Sequence, residues 1–203
     1  MTLPITKTPV SKKQEDAIRS AIRGAMTIGA PGSVSRLARL EDAEELAAFL
    51  SQPSVRAPIY SLPTLINPDT ITDFIQAGLD ARSRGDGALF VRTDETDRIV
   101  GYSEVQLWPQ WGAGELAGAL DPSLQSQGRG AAGAAANFDW MFETLGLELI
   151  CATAALDNPR TARLLDALGF ERKGEILSER PDGSFRRSLG WEIHRGSWHN
   201  PYA

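Results

Sequence analysis

The residues of this chain whose types and spacing most clearly suggest chemistry are two glycines, Gly128 and Gly130, in a turn ahead of an alanine-rich segment. Glycines at these positions let main-chain N–H groups approach an anion without obstruction by a Cβ atom. A helix that starts there directs its unpaired N–H groups and the positive end of its dipole at the same place. The turn therefore predicts a phosphate-binding cradle, with an ordinary turn before a helix as the alternative.

This cradle does not match the common nucleotide-binding motifs. No Gly-Lys-Ser/Thr sequence follows it, as a Walker A loop requires, and the third glycine of a dinucleotide fingerprint is missing. We therefore expect neither ATP nor a nicotinamide cofactor.

The elements that must position the cradle follow from helix start signals and hydrophobic periodicity. Asn-Pro pairs at Asn67 and Asn158 predict helices with Asn as N-cap and Pro in the first turn, and Gly169 is expected to cap the end of the second. Asp42, with Glu45 three residues later, has the spacing of a capping box and is expected to begin a helix. An alanine-rich helix is expected from Gly130 to about residue 145. Strands are predicted near residues 33–39, 88–93, 99–107, 115–120, 149–155, 172–179 and 186–193. This order of elements is typical of an α+β chain around a mixed sheet.

Residues 1–32 differ in composition from the remainder of the chain. Ile18 and Ile22 lie at helical spacing among alanines, and a Gly-Ala-Pro-Gly break follows at residues 29–32. We expect an N-terminal helical extension and linker over residues 1–32, and one domain over residues 33–203.

Length, charge and cysteine content exclude several classes of protein. A chain of 203 residues is typical of one compact domain. The net charge of −5 argues against nucleic-acid binding, and no stretch reaches the ~20 apolar residues of a membrane span. One cysteine, Cys151, and two histidines leave too few ligands for the usual metal sites, so we expect no metal. An unpaired cysteine and the lack of a signal-peptide pattern favour the cytoplasm.

Two segments together resemble the GNAT acyltransferase superfamily. Residues 125–131, Gln-Ser-Gln-Gly-Arg-Gly-Ala, follow a predicted strand and resemble the family's Gln/Arg-x-x-Gly-x-Gly/Ala pyrophosphate loop. Residues 158–170, followed by Gly174, resemble its Asn-x-x-Ser/Thr…Leu-Gly-Phe…Gly segment. The resemblance covers roughly residues 33–198 and favours the branch that includes ribosomal-protein N-acetyltransferases. It implies a mixed, mostly antiparallel central sheet flanked by helices.

The resemblance implies acetyl-coenzyme A as co-substrate, bound where the strand before the loop and the next strand splay apart. The pantetheine arm would lie along residues 118–120, and the main-chain N–H of Leu120 would be an oxyanion donor to the thioester carbonyl. Asn158 would hydrogen-bond the pantetheine, with its N-cap role as the alternative. The implied cofactor-binding residues are Ala119, Leu120, Gln125, Ser126, Gln127, Gly128, Arg129, Gly130, Ala131, Asn158, Thr161 and Arg163.

Acyl transfer to an amine requires removal of a proton, because a lysine-type ammonium has a pKa of ~10.4 and an α-ammonium one of ~8. The resemblance implies Glu115 as the proton acceptor, with a charged residue that only begins a strand as the alternative and Glu104 as the reserve. Many relatives carry a tyrosine as general acid where Leu165 stands. Coenzyme A would then leave as a thiolate, or receive a proton from water, Thr161 or Ser126.

The acceptor is expected to be a primary amine, on a protein N-terminus or a small molecule. The resemblance implies a groove walled by residues 47–65 and 181–188, with Tyr60 and Trp108 as candidate lining residues. Because Cys151 lies in a strand that should be buried, we expect direct transfer without a covalent intermediate. The alternative function is a GNAT-fold module that binds coenzyme A or a protein partner without catalysis. A monomer and a homodimer both stay open.

Overall fold

The computed structural model describes residues 3–30, 33–56, 59, 62–124, 129–179 and 183–203. Within them lie six α-helices and one seven-stranded sheet in the order β1-β2-β3-β4-β5-β7-β6. Only β4 and β5 are parallel neighbours, and the other neighbouring pairs in this described sheet are antiparallel. The strands are β1 (Ser35–Leu37), β2 (Gly87–Thr93), β3 (Ile99–Trp108), β4 (Ala113–Leu120), β5 (Leu149–Ala155), β6 (Glu171–Glu179) and β7 (Phe185–His194). The helices are α1 (Lys12–Gly24), α2 (Ala43–Leu50), α3 (Pro53–Arg56), α4 (Pro68–Arg84), α5 (Arg129–Glu143) and α6 (Pro159–Ala167). The predicted α+β class with a mixed, mostly antiparallel sheet is confirmed.

Two of the helices begin at the predicted Asn-Pro signals. The Asn67 side chain accepts a hydrogen bond from the N–H of Thr70 at 2.9 Å, and Asn158 accepts one from the N–H of Thr161 at 3.1 Å. Gly169 adopts a φ of +80° one residue beyond the C-cap Leu168, where a left-handed glycine commonly ends a helix. In the part of the chain that the structure describes, no helix is long and apolar enough to cross a membrane.

The predicted capping role of Asp42 is wrong. Its side chain makes no capping hydrogen bond to α2, which begins at Ala43. The carboxylate instead accepts hydrogen bonds from the Arg36 guanidinium at 2.7 and 2.8 Å and from the N–H of Arg39 at 2.7 Å. Burial would raise the pKa of Asp42, but these hydrogen bonds outweigh it and lower the pKa below its usual range. The Asp42 carboxylate therefore binds Arg36 of β1 and does not cap α2.

Side chains alternate between the two faces of the sheet and form two main cores. The first contains Phe90 of β2, Met141 of α5 and Trp191 of β7, all fully buried. The second contains Leu89 of β2 with residues of α2 and α4, so we call that side the α4 face. Neighbours along β2 thus supply opposite cores, as strand geometry requires.

Residues ahead of β1 pack against the sheet. Ile18 and Ile22 of α1 are buried in the first core, which confirms an N-terminal helix and attaches it to the domain. Before α1, the N–H groups of Ile5 and Thr6 donate to Oε1 of Glu192 in β7, at 2.7 and 2.9 Å. The domain boundary at residue 32 stays a prediction, which truncation tests.

Candidate active site

Strands β4 and β5 run side by side over three residue pairs and then diverge. Within the described residues their parallel ladder joins Ala113–Glu115 to Leu149–Cys151 and ends there. By contrast, β4 stays paired with β3 as far as Leu120. The second halves of β4 and β5 therefore border a gap in the sheet, which is the splayed pair of strands that the sequence resemblance implied.

The main chain of β4 directs alternate N–H groups into this gap. The N–H of Asp121 donates to the carbonyl of Val100 on β3 at 2.8 Å. Because successive main-chain groups along a strand point to opposite sides, the N–H of Leu120 is directed away from β3 and toward the gap. Gly118 shares this orientation, whereas the main-chain groups of Ala119 face Tyr102 on β3. Of the residues expected along the pantetheine arm, Gly118 and Leu120 are thus oriented to pair with it.

Glu115 lies at the point where the two strands diverge. It is the last β4 residue in the parallel ladder, opposite Cys151, and the hydroxyl of Thr153 donates to its Oε1 at 2.8 Å. Burial raises the pKa of Glu115 to about 7; the hydrogen bond from Thr153 opposes that rise, and the charge of Glu104 adds to it. A carboxyl group with this pKa can accept a proton at neutral pH.

Glu104, the reserve base, occupies the same face of the sheet one strand away. The register places Gln106 opposite Glu115 and Glu104 opposite Ala117. The two carboxylates are therefore diagonal neighbours, with Cβ atoms about 7 Å apart. Burial also raises the pKa of Glu104 to about 7. Both acids thus titrate near neutral pH, and geometry does not bring Glu104 to the vertex of the gap.

A cleft of about 530 Å³ opens on the α4 face beside Glu104. Phe74, Ala77, Gly78 and Ala81 of α4 form one wall, and β3 residues from Glu104 to Trp108 form another. Trp108 therefore lines a cleft, and its place in the acceptor groove stays a prediction. Tyr60, the other aromatic candidate, lies outside the described residues, as do residues 57–58, 61 and 181–182 of the expected acceptor groove.

Beyond the C-terminal end of β4, α5 begins at Arg129. Gln125, Ser126, Gln127 and Gly128 lie outside the described residues, as does the side chain of Arg129, so their cofactor roles stay predictions. A Cβ atom built at Gly130 would meet no atom of the described residues within 4 Å. Among those residues the start of α5, which continues with Ala131, therefore leaves space at Gly130, as an anion cradle requires.

Three of the residues that the resemblance assigned to the cofactor lie at the N-terminal end of α6. Asn158 caps the helix through Oδ1, which leaves its amide nitrogen as the side-chain donor for a ligand. Arg163 is exposed and donates from Nε to the carbonyl of Pro159 at 3.2 Å, and Thr161 is half-buried. The N-cap role of Asn158 is confirmed, and its contact with a cofactor stays a prediction.

Two side chains near the site are unsuited to proton transfer or nucleophilic attack. Leu165 is 3% exposed and packs in the first core, so α6 supplies no acid at this position. Cys151 is fully buried; burial, followed by the charge of Glu192, raises the pKa of its thiol. The thiol therefore stays protonated and does not act as a nucleophile.

Sequence reasoning missed two polar side chains on this face. Thr153 contacts Glu115, and its signal was a lone hydroxyl residue in the otherwise apolar strand Leu-Ile-Cys-Ala-Thr-Ala-Ala. Tyr102, opposite Ala119, has a buried hydroxyl with no hydrogen-bond partner among the described residues. Its local sequence carries no signal that separates it from an ordinary core aromatic.

An interrupted parallel ladder, a helix starting beyond β4 and an acid at the vertex are the features that the sequence resemblance implied. The family profile described as "Acetyltransferase (GNAT) domain" matches residues 35–171. The chain belongs to the GNAT acetyltransferase family, which confirms the family inferred from the two motifs. A comparison with curated proteins gave no significant match.

Several solved structures share the fold at low sequence identity. The ribosomal-protein-S5-alanine acetyltransferase from Vibrio fischeri is 19% identical with a TM-score of 0.67, covering 85% of this chain and 99% of its own. A point mutant of spermidine N-acetyltransferase SpeG from Vibrio cholerae is 17% identical with a TM-score of 0.63, covering 83% and 99%. Mycobacterium smegmatis RimJ in complex with CoA-disulfide is 19% identical with a TM-score of 0.64, covering 80% and 81%. The branch suggested by the sequence is represented among these neighbours.

Proposed function

We propose that this protein transfers an acetyl group from acetyl-coenzyme A directly to a primary amine, in the cytoplasm. The observation that carries the proposal is Glu115, which lies at the vertex of the gap, bound to Thr153, with a pKa of about 7. The acceptor is the amine of a small molecule or of a protein N-terminus. One neighbour is named as a spermidine N-acetyltransferase and another as a ribosomal-protein-S5-alanine acetyltransferase, which supports an acceptor of either kind.

Glu115 removes the proton that holds the acceptor amine unreactive. An ammonium of pKa ~8 to ~10.4 is charged at neutral pH and has no lone pair for attack. The ionised carboxylate takes this proton directly or through one water before the nitrogen attacks. Because Thr153 donates to Oε1, Oε2 is the oxygen that receives the proton. The second proton that the nitrogen loses as the amide forms passes to water.

The gap between β4 and β5 fits the pantetheine arm, and the space that the described residues leave at Gly130 fits a phosphate cradle. Acetyl-coenzyme A, when bound, supplies an activated thioester carbonyl. The N–H of Leu120 donates to its oxygen as negative charge develops there, and one such preorganised donor contributes ~3 kcal/mol. The pyrophosphate lies at residues 125–131, and Asn158, Thr161 and Arg163 bind the pantetheine.

Departure of coenzyme A does not depend on an acid at position 165 of α6. Leu165 has no proton to donate, and a thiol with a pKa of ~8.5 is a tolerable leaving group as the thiolate. Water at the open side of the gap supplies the proton afterwards. Because Leu165 replaces the general acid, the second candidate function is a module that binds coenzyme A without turnover. The experiment below distinguishes the two functions.

The decisive experiment measures release of coenzyme A thiol with a panel of primary amines, for wild type and Glu115→Gln. Glutamine keeps the size of Glu115 but cannot take a proton, so kcat should fall about 100-fold or more. The acidic limb of the pH–rate profile near pH 7 should disappear with it. Glu95→Gln makes the same change in the exposed β2–β3 turn and serves as the matched control.

Three other results would overturn parts of the proposal. Normal kcat with an unchanged pH profile in Glu115→Gln would remove Glu115 as the base. If Glu104→Gln alone lowered kcat and removed the acidic limb, Glu104 on the neighbouring strand would be the base. Binding of acetyl-coenzyme A without turnover on any amine would favour the non-catalytic module.

A further inference from the structure

The cleft beside Glu104 has an unbalanced charge at one end. Its size of about 530 Å³ is that of a small-molecule site. Among the described residues its ionic lining groups are Arg19, Arg84, Asp86 and Glu104. Arg19 and Arg84 both pair with Asp86, and Arg19 also pairs with Glu15 at 3.2 Å. The charges contributed by α1 and by the end of α4 are therefore balanced within the protein.

The negative charge of Glu104 is not paired with a positive charge among the described residues. In the part of the chain that the structure describes, its carboxylate has no hydrogen bond or ion pair with a protein group. A partly buried carboxylate without a partner is costly when ionised, so a cation in the cleft would stabilise it. The pairing of Arg19 with two other carboxylates leaves that cation to come from a ligand.

The walls of the cleft suit a cation on a short apolar chain. Phe74 and Trp108 contribute aromatic rings, whose faces attract cations. The middle of α4 lines the cleft with small residues, Ala77, Gly78 and Ala81. Methylene groups can lie against this surface without displacing protein atoms.

We propose that the acceptor carries a second ammonium group, and that Glu104 binds this group while the reacting amine lies at Glu115. The two carboxylates are diagonal neighbours on one face, about 7 Å apart at Cβ, a separation that a short alkyl chain between two nitrogens spans. The acceptor class is then a linear diamine or polyamine. A protein N-terminus has no obligatory second cation, so it leaves Glu104 without a partner. This inference rests on the proposed acetyl transfer at Glu115.

The test compares putrescine with n-butylamine, which has the same carbon chain and one amine. Rates are measured as kcat/KM for thiol release at about pH 9, above the pKa of both acids and below that of the amines. After correction for its two equivalent amines, putrescine should be preferred by about tenfold or more in the wild type. Glu104→Gln should remove this preference, a tenfold change that corresponds to about 1.4 kcal/mol. Glu95→Gln should retain it.

A binding measurement provides a second readout. Calorimetric titration of putrescine into the protein with coenzyme A should show about tenfold weaker binding for Glu104→Gln than for Glu95→Gln. Equal rates for putrescine and n-butylamine in the wild type would overturn the inference while acetyl transfer stands. So would a preference for peptide N-termini over both amines. Absence of turnover on every amine would instead overturn the proposed function itself.

Discussion

Replacing Thr153 with valine tests how the protein sets the pKa of its base. The Thr153 hydroxyl donates to Glu115 at 2.8 Å, and a hydrogen bond to a charged group contributes about 1.5–3 kcal/mol. Thr153 is half-buried, so the lower figure applies. At 1.36 kcal/mol per pKa unit, loss of this donor raises the pKa of Glu115 by about one unit. Because the base must be ionised, the acidic limb of kcat/KM moves from about pH 7 to roughly pH 8.

The assay is a pH–rate profile for one good amine acceptor, with wild type, Thr153→Val and Thr153→Ser. Valine keeps the shape of threonine and suits a strand, so the fold is preserved. At pH 6 Thr153→Val should be about tenfold slower than wild type, and at pH 9 the two should differ little. Serine retains the hydroxyl and should restore the limb. An unmoved limb in Thr153→Val, in a protein whose activity still depends on Glu115, would refute this account.

Three further predictions concern the cofactor, the N-terminal helix and stability. Gly130→Val should fold, because a Cβ there meets no atom of the described residues within 4 Å. It should lose the rise in Tm that acetyl-coenzyme A gives the wild type, which reflects a stabilisation of ~2.7 kcal/mol at a hundredfold excess over Kd; an unchanged shift would remove the phosphate-cradle assignment. Ile22→Ala should cost about 3 kcal/mol and lower Tm by roughly 10 °C, and deletion of residues 1–30 should cost more, because Ile18, Ile22 and Ile28 are all buried in the first core; a deletion variant as stable as the full chain would establish the boundary at residue 32. Burial raises the pKa of Glu104 to about 7 in the fold from its ordinary value of 4.5, so the folded protein binds more protons between these values and loses stability as pH rises through them. Glu104→Gln should therefore unfold at a higher temperature than wild type above pH 7 and at a similar one near pH 4, as differential scanning calorimetry would show.

Local signals in the sequence predicted the helices and strands well. The Asn-Pro starts of α4 and α6 depend on atoms within four residues, and both caps form as expected. Asp42 failed because Arg36, six residues away on β1, offers its carboxylate a charged partner that the local pattern does not show.

Contacts between distant segments were less accessible to sequence reasoning. Ile18 and Ile22 gave a helical pattern, but nothing in that pattern says whether the apolar face packs on the same domain. The exchange of β6 and β7 in the sheet order likewise depends on how the closing hairpin docks on β5. Such arrangements are decided by tertiary packing, which periodicity does not encode.

In the candidate site, too, sequence motifs predicted some features, and other features depend on contacts between distant segments. The two motifs led to the family, and through it to the gap between β4 and β5, although neither segment predicts a splayed ladder by itself. Glu115 came from the family comparison, whereas its partner Thr153 lies 38 residues away and depends on the register of β5. Glu104 was identified only as a reserve base, because its place in a cleft emerges when α4 packs over β3.

The burial of Cys151 also determines what thiol-reactive reagents report. Because this is the only cysteine in the chain and its sulfur is enclosed between β5 and the Glu192 carboxylate, reagent in the native protein reacts with released coenzyme A first. Slow labelling of Cys151 then measures how often the packing over this side chain, to which Leu3, Trp108 and Trp111 contribute, opens, in the way that amide hydrogen exchange measures local opening. A single spectroscopic assay can thus follow turnover over minutes and local opening around β5 over longer times.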